Sequence, residues 1–249
     1  MALQCVVLAG GLGTRMRPTT QTIPKALVPV LGAPFADWQL ALLAGQGVER
    51  VLYCTGYRGE LLREHVGDGS RFGLSVAWSD DGPRLLGTAG AIRLALDRGV
   101  LDDAFFVLYG DSYLPAPFGA AAEAWRRSGA PALMSVLRNH ERWDRSNSVY
   151  RDGRILLYDK RRPADRVADM HWIDYGLSVL TCGVVAELVP PGTPADLADV
   201  QRELSLSGRL AGLEVAERFY EAGSPAGLHD LEAYLRDRGC DRRHRVERS

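Results

Sequence analysis

The order of apolar segments along the chain is the feature that most restricts its fold. In the first half, short runs with almost no polar residue alternate with segments of helical spacing. The runs at 3–10, 48–56 and 104–111 are predicted as buried strands, and the segments at 35–47 and 88–99 as helices, the second with Thr88 as its N-cap. Strands that are apolar on both faces and separated by helices are typical of a doubly wound α/β sheet.

The second half has a different pattern. Residues 147–160 are predicted as a hairpin that turns at Asp152-Gly153, followed by a strand at 171–181. A helix is expected over 194–208, and a strand, a tight loop and a last helix over 217–238. An antiparallel hairpin makes the sheet mixed. We therefore expect one domain over 1–238, with a small lid over about 140–180 and a charged, flexible tail over 239–249.

Composition excludes several classes of partner. The formal net charge is −1, so no overall field attracts nucleic acid or an anionic membrane. No apolar run approaches the ~18 residues of a membrane helix, and the amino terminus lacks a signal-peptide pattern. The four cysteines show no metal-ligand spacing and indicate a reducing compartment. The sequence predicts a cytoplasmic protein with no nucleic-acid and no membrane partner, which could form a homo-oligomer.

A glycine-rich loop follows the first predicted strand. Gly10, Gly11 and Gly13 allow backbone N–H groups to approach an anion, and Arg15 and Lys25 supply positive charge. The segment lacks the last glycine of a dinucleotide-binding loop and the GxxxxGK(S/T) pattern of a triphosphate loop. Prolines at 18 and 24 exclude a helix and suggest an extended arm. A surface turn with solvated cations is the alternative.

A carboxylate follows the most apolar predicted strand. Asp111 comes directly after the run at 104–109 and a glycine, which places it at the carboxyl edge of the sheet. An oxygen ligand at that position suits Mg²⁺. Capping of a following turn is the alternative.

The segment from Gly10 to Thr20, continued by Pro24-Lys25, reads G-G-x-G-T-R-x-x-P-x-T-x-x-x-P-K. This pattern resembles the signature of the sugar-1-phosphate nucleotidyltransferases, and further matches follow in order to about residue 238. The resemblance implies a Rossmann-like mixed sheet of the nucleotidyltransferase type. It also implies a reaction in which an NTP and a sugar 1-phosphate give an NDP-sugar and pyrophosphate.

The resemblance assigns catalytic and metal roles. Arg15 would hold the departing β- and γ-phosphates, and Lys25 the α-phosphate and the sugar phosphate. Asp111 would bind Mg²⁺, the expected cofactor. The family's W-x-D-x-G-S/T segment corresponds to "FYEAGS", in which Glu221 replaces the aspartate as the second metal ligand.

The nucleobase is expected to lie against the "LLGTAGAIR" turn at 85–93. Asp80 or Asp81 could accept hydrogen bonds from guanine, and Gly82 stands where uridylyl- and thymidylyl-transferring relatives often have Gln. GTP is therefore favoured. The residues expected to contact the nucleotide are Leu8, Ala9, Gly10, Gly11, Gly13, Thr14, Arg15, Asp80, Asp81, Gly87, Thr88 and Gly90.

The sugar side is expected around two segments. "YDKR" at 158–161 corresponds to the family's E-K-P, so Lys160 would bind the sugar phosphate and Asp159 a hydroxyl. "IDYGLSVL" at 173–180 places Asp174 and Gly176 near the sugar ring, and Asn147 lies on the preceding strand. An ion pair of Asp174 with an Arg is the alternative.

Taken together, the pattern most resembles heptose 1-phosphate guanylyltransferases. The alternatives are a uridylyl- or other nucleotidyltransferase that uses a hexose or amino-sugar 1-phosphate, and a non-catalytic sugar-nucleotide-binding regulator. A regulator should have lost Arg15, Lys25 or Asp111, and all three are present.

Overall fold

The computed structural model describes residues 3–239, so Cys240, His244 and the predicted tail from 240 onward lie outside the described residues. In chain order the strands are β1 (Gln4–Ala9), β2 (Pro29–Val30), β3 (Ala33–Pro34), β4 (Arg50–Thr55), β5 (Ser75–Asp80), β6 (Ala104–Tyr109), β7 (Ser112–Tyr113), β8 (Ala132–Arg138), β9 (Ser148–Arg151), β10 (Arg154–Tyr158), β11 (Trp172–Thr181), β12 (Leu210–Val215) and β13 (Tyr220–Glu221). The helices are α1 (Phe35–Gly45), α2 (Gly59–Val66), α3 (Gly87–Asp97), α4 (Phe118–Ser128), α5 (Cys182–Leu188), α6 (Leu197–Leu206) and α7 (Pro225–Asp237).

One large mixed sheet organises the molecule. Its strand order is β5-β4-β1-β6-β11-β8-β12-β10-β9. Strands β5, β4, β1 and β6 run parallel, whereas β11 is antiparallel to both of its neighbours, β6 and β8. This arrangement confirms the predicted mixed α/β fold.

Alternate side chains of the central strands supply a core on each face of the sheet. In β1, Cys5 and Val7 pack on the face covered by Leu40 of α1. Val6 and Leu8 pack on the opposite face with Ile92 of α3. Because both faces are covered, the strand needs apolar residues at every position, which explains its continuous apolar run.

Several elements lie where the sequence does not predict them. Helix α4, strand β8, helix α5 and strand β12 occupy the stretches between the predicted elements, and β8 and β12 pair in parallel inside the sheet. The predicted N-cap role of Thr88 is wrong, because Thr88 lies within α3 and Leu86 is the N-cap residue. The Thr88 hydroxyl instead donates to Asp196 Oδ1 at 2.9 Å and accepts the Leu197 N–H at 2.7 Å, where α6 begins.

The predicted hairpin forms one edge of the sheet. Strands β9 and β10 are joined at Asp152 and Gly153, which have φ values of 47° and 79°. A two-residue turn with both φ values positive matches the right-handed twist of its strands, as Asp-Gly predicts. Because β10 pairs with β12 and β9 with β11, the hairpin is continuous with the sheet. Within residues 3–239, no helix has both the length and the hydrophobicity needed to cross a membrane.

Candidate active site

A cavity of about 270 Å³ lies where β1 and β6 end. It unites residues that are far apart in the chain: the glycine loop, the start of α3 and the segment after β6. The lining consists of Leu8, Ala9, Gly10, Gly11, Lys25, Ala26, Cys54, Asp81, Leu85, Gly87, Thr88, Ala91, Tyr109, Gly110 and Asp111. This is the carboxyl edge of parallel strands, where open α/β sheets bind ligands.

The glycine loop folds back on itself. Short 3₁₀ turns form at Thr14–Met16, Thr19–Gln21 and Lys25–Leu27, so the expected extended arm is wrong. The buried Thr20 hydroxyl donates to the Gly13 carbonyl at 2.6 Å and closes the fold. Gly13 has a φ of 63°, and a Cβ there would lie 2.9 Å from Thr20 Cγ2 and 3.0 Å from Lys25 Cγ. Glycine at 13 therefore allows Lys25 to approach the beginning of its own loop.

The two predicted cations of the loop differ in placement. Lys25 Nζ lies 2.5 Å from Asp111 Oδ2, and each side chain is 20% exposed. Arg15 is exposed, and the described residues provide no hydrogen-bond or ion-pair partner for it. Gly13, Thr14 and Arg15 lie outside the cavity lining. Lys25 is thus fixed inside the site, whereas the Arg15 guanidinium is available to a ligand at the rim.

Glu221 lies beside Asp111 because of a two-stranded ribbon. Strand β13 pairs with β7, so that Glu221 is opposite Ser112. In addition, the Ala222 N–H donates to the Asp111 carbonyl at 2.8 Å. Glu221 Oε2 accepts the Gly223 N–H at 2.9 Å, and Oε1 accepts the Ser224 hydroxyl. The ribbon therefore brings Glu221, which lies outside the cavity lining, next to Asp111, which is part of it.

Gly223 marks the point where these charged groups meet. A Cβ on Gly223 would collide with Glu221 Oε2 and lie 2.7 Å from Asp111 Oδ2 and 2.9 Å from Lys25 Nζ. Mg²⁺ typically takes one or two protein carboxylates and completes its shell with water and substrate phosphates. The described residues contain no cluster of three or more metal-ligating side chains. Asp111 thus fits a Mg²⁺ that arrives with a nucleotide, and Glu221 would join it by exchanging its hydrogen bonds from Gly223 and Ser224.

The two neighbouring aspartates after β5 have different roles. Asp80 is exposed, and its carboxylate accepts the Thr55 hydroxyl at 3.0 Å and the Gly82 N–H at 2.8 Å. Its predicted contact with the base is not supported, since both oxygens fasten the turn. Asp81 lines the cavity, and its Oδ2 accepts the Leu86 N–H at 3.0 Å. Its Oδ1 is buried without a donor, and burial raises the pKa of this carboxyl. Of the two aspartates, Asp81 is therefore the one that lines the cavity and has an oxygen without a donor.

The glycines at the start of α3 also separate into two roles. Gly87 lines the cavity with a φ of 72°. Gly90 is buried, and its N–H donates to the Ala195 carbonyl at 3.3 Å. A Cβ there would lie 2.9 Å from the Thr193 carbonyl oxygen. The small size of Gly90 therefore lets α3 pack against residues 193–195, and its contact with the nucleotide stays a prediction.

The predicted sugar-side carboxylate at 159 is bound internally. Asp159 is 4% exposed, and its Oδ1 accepts the N–H and Nε–H of Arg161 at 2.9 and 3.2 Å. Its Oδ2 accepts Arg202 Nε–H at 2.7 Å. Burial alone would raise the pKa of Asp159, but hydrogen bonds from Arg161 and Arg202 bring it below its ordinary value. Both oxygens are used, so Asp159 is structural here and the predicted sugar contact is not supported.

Asp174 and Asn147 form a second polar group. The Asp174 N–H donates to Asn147 Oδ1 at 2.9 Å, and Asp174 Oδ1 accepts the Gly176 N–H at 2.9 Å. The Tyr158 hydroxyl donates to Asp174 Oδ2 at 3.4 Å. Burial raises the pKa of Asp174, and nearby Lys160 partly offsets this. Among the described residues Asp174 has no Arg partner, so the alternative role as an Arg ion pair is not observed.

Gly176 and Lys160 connect this group to the cavity. Gly176 has a φ of 92° and lies in a bulge of β11 between Asp174 and Ser178. Lys160 Nζ lies 5.7 Å from the centre of the Tyr109 ring. Sequence reasoning missed Tyr109, which lines the cavity and has a buried hydroxyl with no partner. An aromatic residue directly before Gly110-Asp111 was the available signal.

Comparisons with a family model and with known proteins identify one family, and the matches together cover most of the chain. The family model described as "Nucleotidyl transferase" matches residues 4–147. The N-acetylmuramate alpha-1-phosphate uridylyltransferase of Neisseria meningitidis is 35% identical over 93% of this chain and 97% of that protein. The mannose-1-phosphate guanyltransferase of Yarrowia lipolytica is 30% identical over 94% of this chain and 60% of that protein. A UTP–glucose-1-phosphate uridylyltransferase of Synechocystis is 29% identical, and the chain spans 53% of its length.

Solved structures share the fold. A putative glucose-1-phosphate thymidylyltransferase from Bacillus anthracis superposes with a TM-score of 0.79 at 22% identity, covering 95% of this chain and 96% of that one. HddC from Yersinia pseudotuberculosis, complexed with GMP-PN, gives 0.75 at 21% identity over 94% and 100% of the two chains. The sequence matches extend over the loop, the cavity and the β9 edge described above, and the chain belongs to the nucleotidyl transferase family.

Proposed function

We propose that this chain transfers a nucleotidyl group from an NTP to a sugar 1-phosphate and releases pyrophosphate. The observation that carries the proposal is the convergence of Lys25, Asp111 and Glu221 around Gly223, beside a glycine loop. Two polyanions must meet in this reaction, and a cation and a metal-binding carboxylate pair offset their repulsion.

The residues supply positioning and charge rather than covalent chemistry. A sugar phosphate oxygen is already an anion, so it attacks the α-phosphorus without a general base. Asp111 and Glu221 would hold Mg²⁺, which supplies Lewis-acid polarisation of the phosphates when it is bound. Lys25 faces the α-phosphate from the same side. Arg15, exposed and unpaired among the described residues, closes on the β- and γ-phosphates.

The base in this proposal is guanine. Asp81 Oδ1 is a buried acceptor that lacks a donor, and a carboxylate accepts hydrogen bonds only. Guanine presents two adjacent donors, N1–H and N2–H₂, on one edge. Uracil presents one N–H between two carbonyl oxygens, which the carboxylate repels. Gly82 is exposed and has no side chain, so it offers no side-chain amide that could hydrogen-bond to uracil. GTP is therefore the first candidate and UTP the second, since the Neisseria relative is named as a uridylyltransferase.

The sugar is proposed from the resemblance to heptose 1-phosphate guanylyltransferases. On the sugar side, Asp174 presents acceptors and Lys160 a cation near Tyr109. These groups suit ring hydroxyls and the sugar phosphate, respectively. Hexose and amino-sugar 1-phosphates are the alternatives. A cytoplasmic location and a homo-oligomeric state remain predictions.

A pyrophosphate-release assay tests the proposal. Five NTPs with Mg²⁺ are each paired with glucose, mannose, N-acetylglucosamine and heptose 1-phosphates. We expect pyrophosphate with at least one sugar, and the highest kcat/KM with GTP. The Lys25→Ala variant should abolish release while its thermal unfolding stays close to that of the wild type. Tight nucleotide binding without pyrophosphate from any pair would favour the non-catalytic regulator instead.

A further inference from the structure

A recess lies beyond Lys160, outside the cavity described above. Residues of the loop before β9 and of the segment after β10 line it. Its charged and polar lining residues are Asp144, Arg145, Asn147, Lys160, Arg161 and Arg162. Four of these six side chains are cations, whereas the whole chain carries a formal net charge of −1. The recess is therefore a local concentration of positive charge.

Two residues of the recess lie next to groups of the candidate active site. Lys160 lines the recess and lies 5.7 Å from the ring centre of Tyr109, which lines the nucleotide cavity. Asn147 also lines the recess, and its Oδ1 accepts the N–H of Asp174 at 2.9 Å. A sugar held between Asp174 and Lys160 would thus have the recess on its far side from the nucleotide.

Internal ion pairs use only part of this positive charge. Arg161 contacts Asp159 at 3.2 Å and Asp199 at 3.7 Å, and Arg162 contacts Glu141 at 3.0 Å. Within the described residues, no carboxylate lies at salt-bridge distance from the side chains of Arg145 and Lys160. The recess contains one carboxylate, Asp144, whose Oδ1 accepts the N–H of Arg145 at 2.7 Å.

Arg162 adds an observation that points to a ligand. Its side chain is 17% exposed, and its Nε is buried without an acceptor. Its φ of 52° is unusual for a residue with a side chain, so the surrounding fold holds it in a costly conformation. A buried donor without a partner is unfavourable unless a ligand completes it. A planar guanidinium is suited to an oxyanion.

Resting on the proposed function, we infer that the preferred sugar 1-phosphate carries a second oxyanion, a carboxylate or a phosphate, away from the anomeric carbon. Arg145 and Arg162 bind this group, and Lys160 lies between it and the anomeric phosphate. The second oxyanion is defined by its charge and not by the number of carbon atoms in the sugar, so either a hexose or a heptose can carry it. A neutral substituent would leave Arg162 Nε without a charged acceptor and would not offset the unpaired cations.

Matched sugars test the inference. The nucleotide that works best in the pyrophosphate assay is paired with glucose 1-phosphate, glucose 1,6-bisphosphate and glucuronic acid 1-phosphate, and with mannose 1-phosphate and its 1,6-bisphosphate. We expect at least one sugar 1-phosphate with a second anionic group to exceed its counterpart without that group in kcat/KM by about tenfold, the size of a charge-assisted hydrogen bond. The two arms distinguish a carboxylate from a phosphate.

Variants assign that preference to the recess. Arg145→Ala should reduce towards one the ratio of kcat/KM for the sugar with a second anionic group to kcat/KM for the sugar without it, and Arg162→Lys, which retains charge but removes Nε, should reduce it in part. Arg151→Ala is the matched control, because Arg151 is an exposed arginine on β9 outside the recess. It should leave the ratio unchanged.

The outcomes separate the two proposals. Equal or better use by the wild type of sugar 1-phosphates that lack a second anionic group would overturn the second-oxyanion inference and leave the proposed function intact. A preference that survives in Arg145→Ala and Arg162→Lys would also overturn it. Absence of pyrophosphate with every sugar would overturn both.

Discussion

The nucleotide side and the sugar side of the site use their polar groups differently. In the nucleotide cavity, Asp81 Oδ1 and the Tyr109 hydroxyl are buried without protein partners. On the sugar side, Asp159 gives both oxygens to Arg161 and Arg202, and Asn147 Oδ1 accepts the Asp174 N–H. The nucleotide side therefore keeps unpaired polar atoms for a ligand, whereas on the sugar side the carboxylates maintain the local shape and the unpaired groups, among the described residues, are the cations Arg145 and Lys160.

The difference follows from the strands that build each side. The nucleotide cavity lies at the ends of parallel strands β1 and β6, where glycines bring the backbones together. A Cβ on Gly110 would lie 2.9 Å from Ala9 Cβ. The sugar side depends on antiparallel β11, whose register shifts between Asp174 and Ser178. An irregular strand needs side-chain hydrogen bonds to satisfy its backbone, and Asp174 and Asn147 provide them.

The largest effect is expected at the carboxylate that serves the reacting phosphates. Asp111→Asn retains shape but removes the charge that pairs with Lys25 and would bind Mg²⁺. We expect kcat for pyrophosphate release to fall by about 10²–10³-fold. A melting temperature within a few degrees of that of the wild type would show that the loss of activity does not result from unfolding. Near-normal turnover would contradict the metal assignment.

Asp81 and Asp80 form a matched pair for the base. Asp81→Asn replaces the buried acceptor by an amide, so kcat/KM with GTP should fall about 10–100-fold and the ratio of GTP to UTP use should fall with it. Asp80→Asn should change both values by less than about threefold, because exposed Asp80 fastens a turn. Equal effects of the two variants would refute the assignment of Asp81 to the base.

Glu221 tests the second metal ligand. Glu221→Gln keeps an oxygen but loses a charge, so the Mg²⁺ concentration for half-maximal rate should rise about tenfold. The rate should recover largely at saturating Mg²⁺, which distinguishes weakened metal binding from a distorted site. Removal of Mg²⁺ with EDTA should stop the wild-type reaction. An unchanged Mg²⁺ requirement in Glu221→Gln would restrict metal binding to Asp111.

The smallest effect is expected on the sugar side, and on stability rather than on turnover. The pKa of Asp159 is lower in the folded chain, since hydrogen bonds from Arg161 and Arg202 outweigh burial. A carboxyl whose pKa is lower in the folded than in the unfolded chain stabilises the fold at pH values above its unfolded pKa. This stabilisation is lost as the pH falls through and below about 4. Asp159→Asn should lower the free energy of unfolding at pH 7 by about 1 kcal/mol, because both arginines are partly exposed.

The pH series provides the control for Asp159. The difference between wild type and Asp159→Asn should shrink below pH 4 in urea unfolding, because the wild-type carboxyl then becomes protonated too. A large loss of kcat/KM in this variant with unchanged stability would return Asp159 to the sugar site. Such a result would show that the sugar side, like the nucleotide side, keeps a carboxylate for its ligand.

Sequence reasoning succeeded where the signal is local. Residues 10–25 contain the spacing that brings Gly13 and Lys25 together, so both the family and the position of Lys25 followed from one segment. It failed where the role of a residue depends on a partner that is far away in the sequence. Thr88 lies inside α3 instead of capping it, and its hydroxyl bonds to Asp196 and Leu197, more than a hundred residues later. Gly90 also has a distant partner, because its N–H donates to the Ala195 carbonyl.

The same reasoning explains the missed elements. Strands β8 and β12 are parallel neighbours, and β8 also pairs with β11, so their positions depend on two partners from elsewhere in the chain. Helix α4 (Phe118–Ser128) is amphipathic, with Phe118, Ala121 and Ala122 on its buried face, so its helical spacing was a local signal that sequence reasoning missed. For Asp80 and Asp81, adjacency in sequence could not show which carboxylate turns inward. That choice depends on the Thr55 hydroxyl and the Leu86 N–H.

The β7–β13 ribbon has a consequence for biosynthesis. A nascent chain that has left the ribosome only as far as α6 already contains the glycine loop, Lys25, Asp81 and Asp111, but it lacks Glu221 and the Ala222 N–H that donates to Asp111. Such an intermediate could capture a nucleotide before the second carboxylate arrives. Catalytic competence would then begin with the synthesis of the last strand, which acts as a late assembly step for the enzyme.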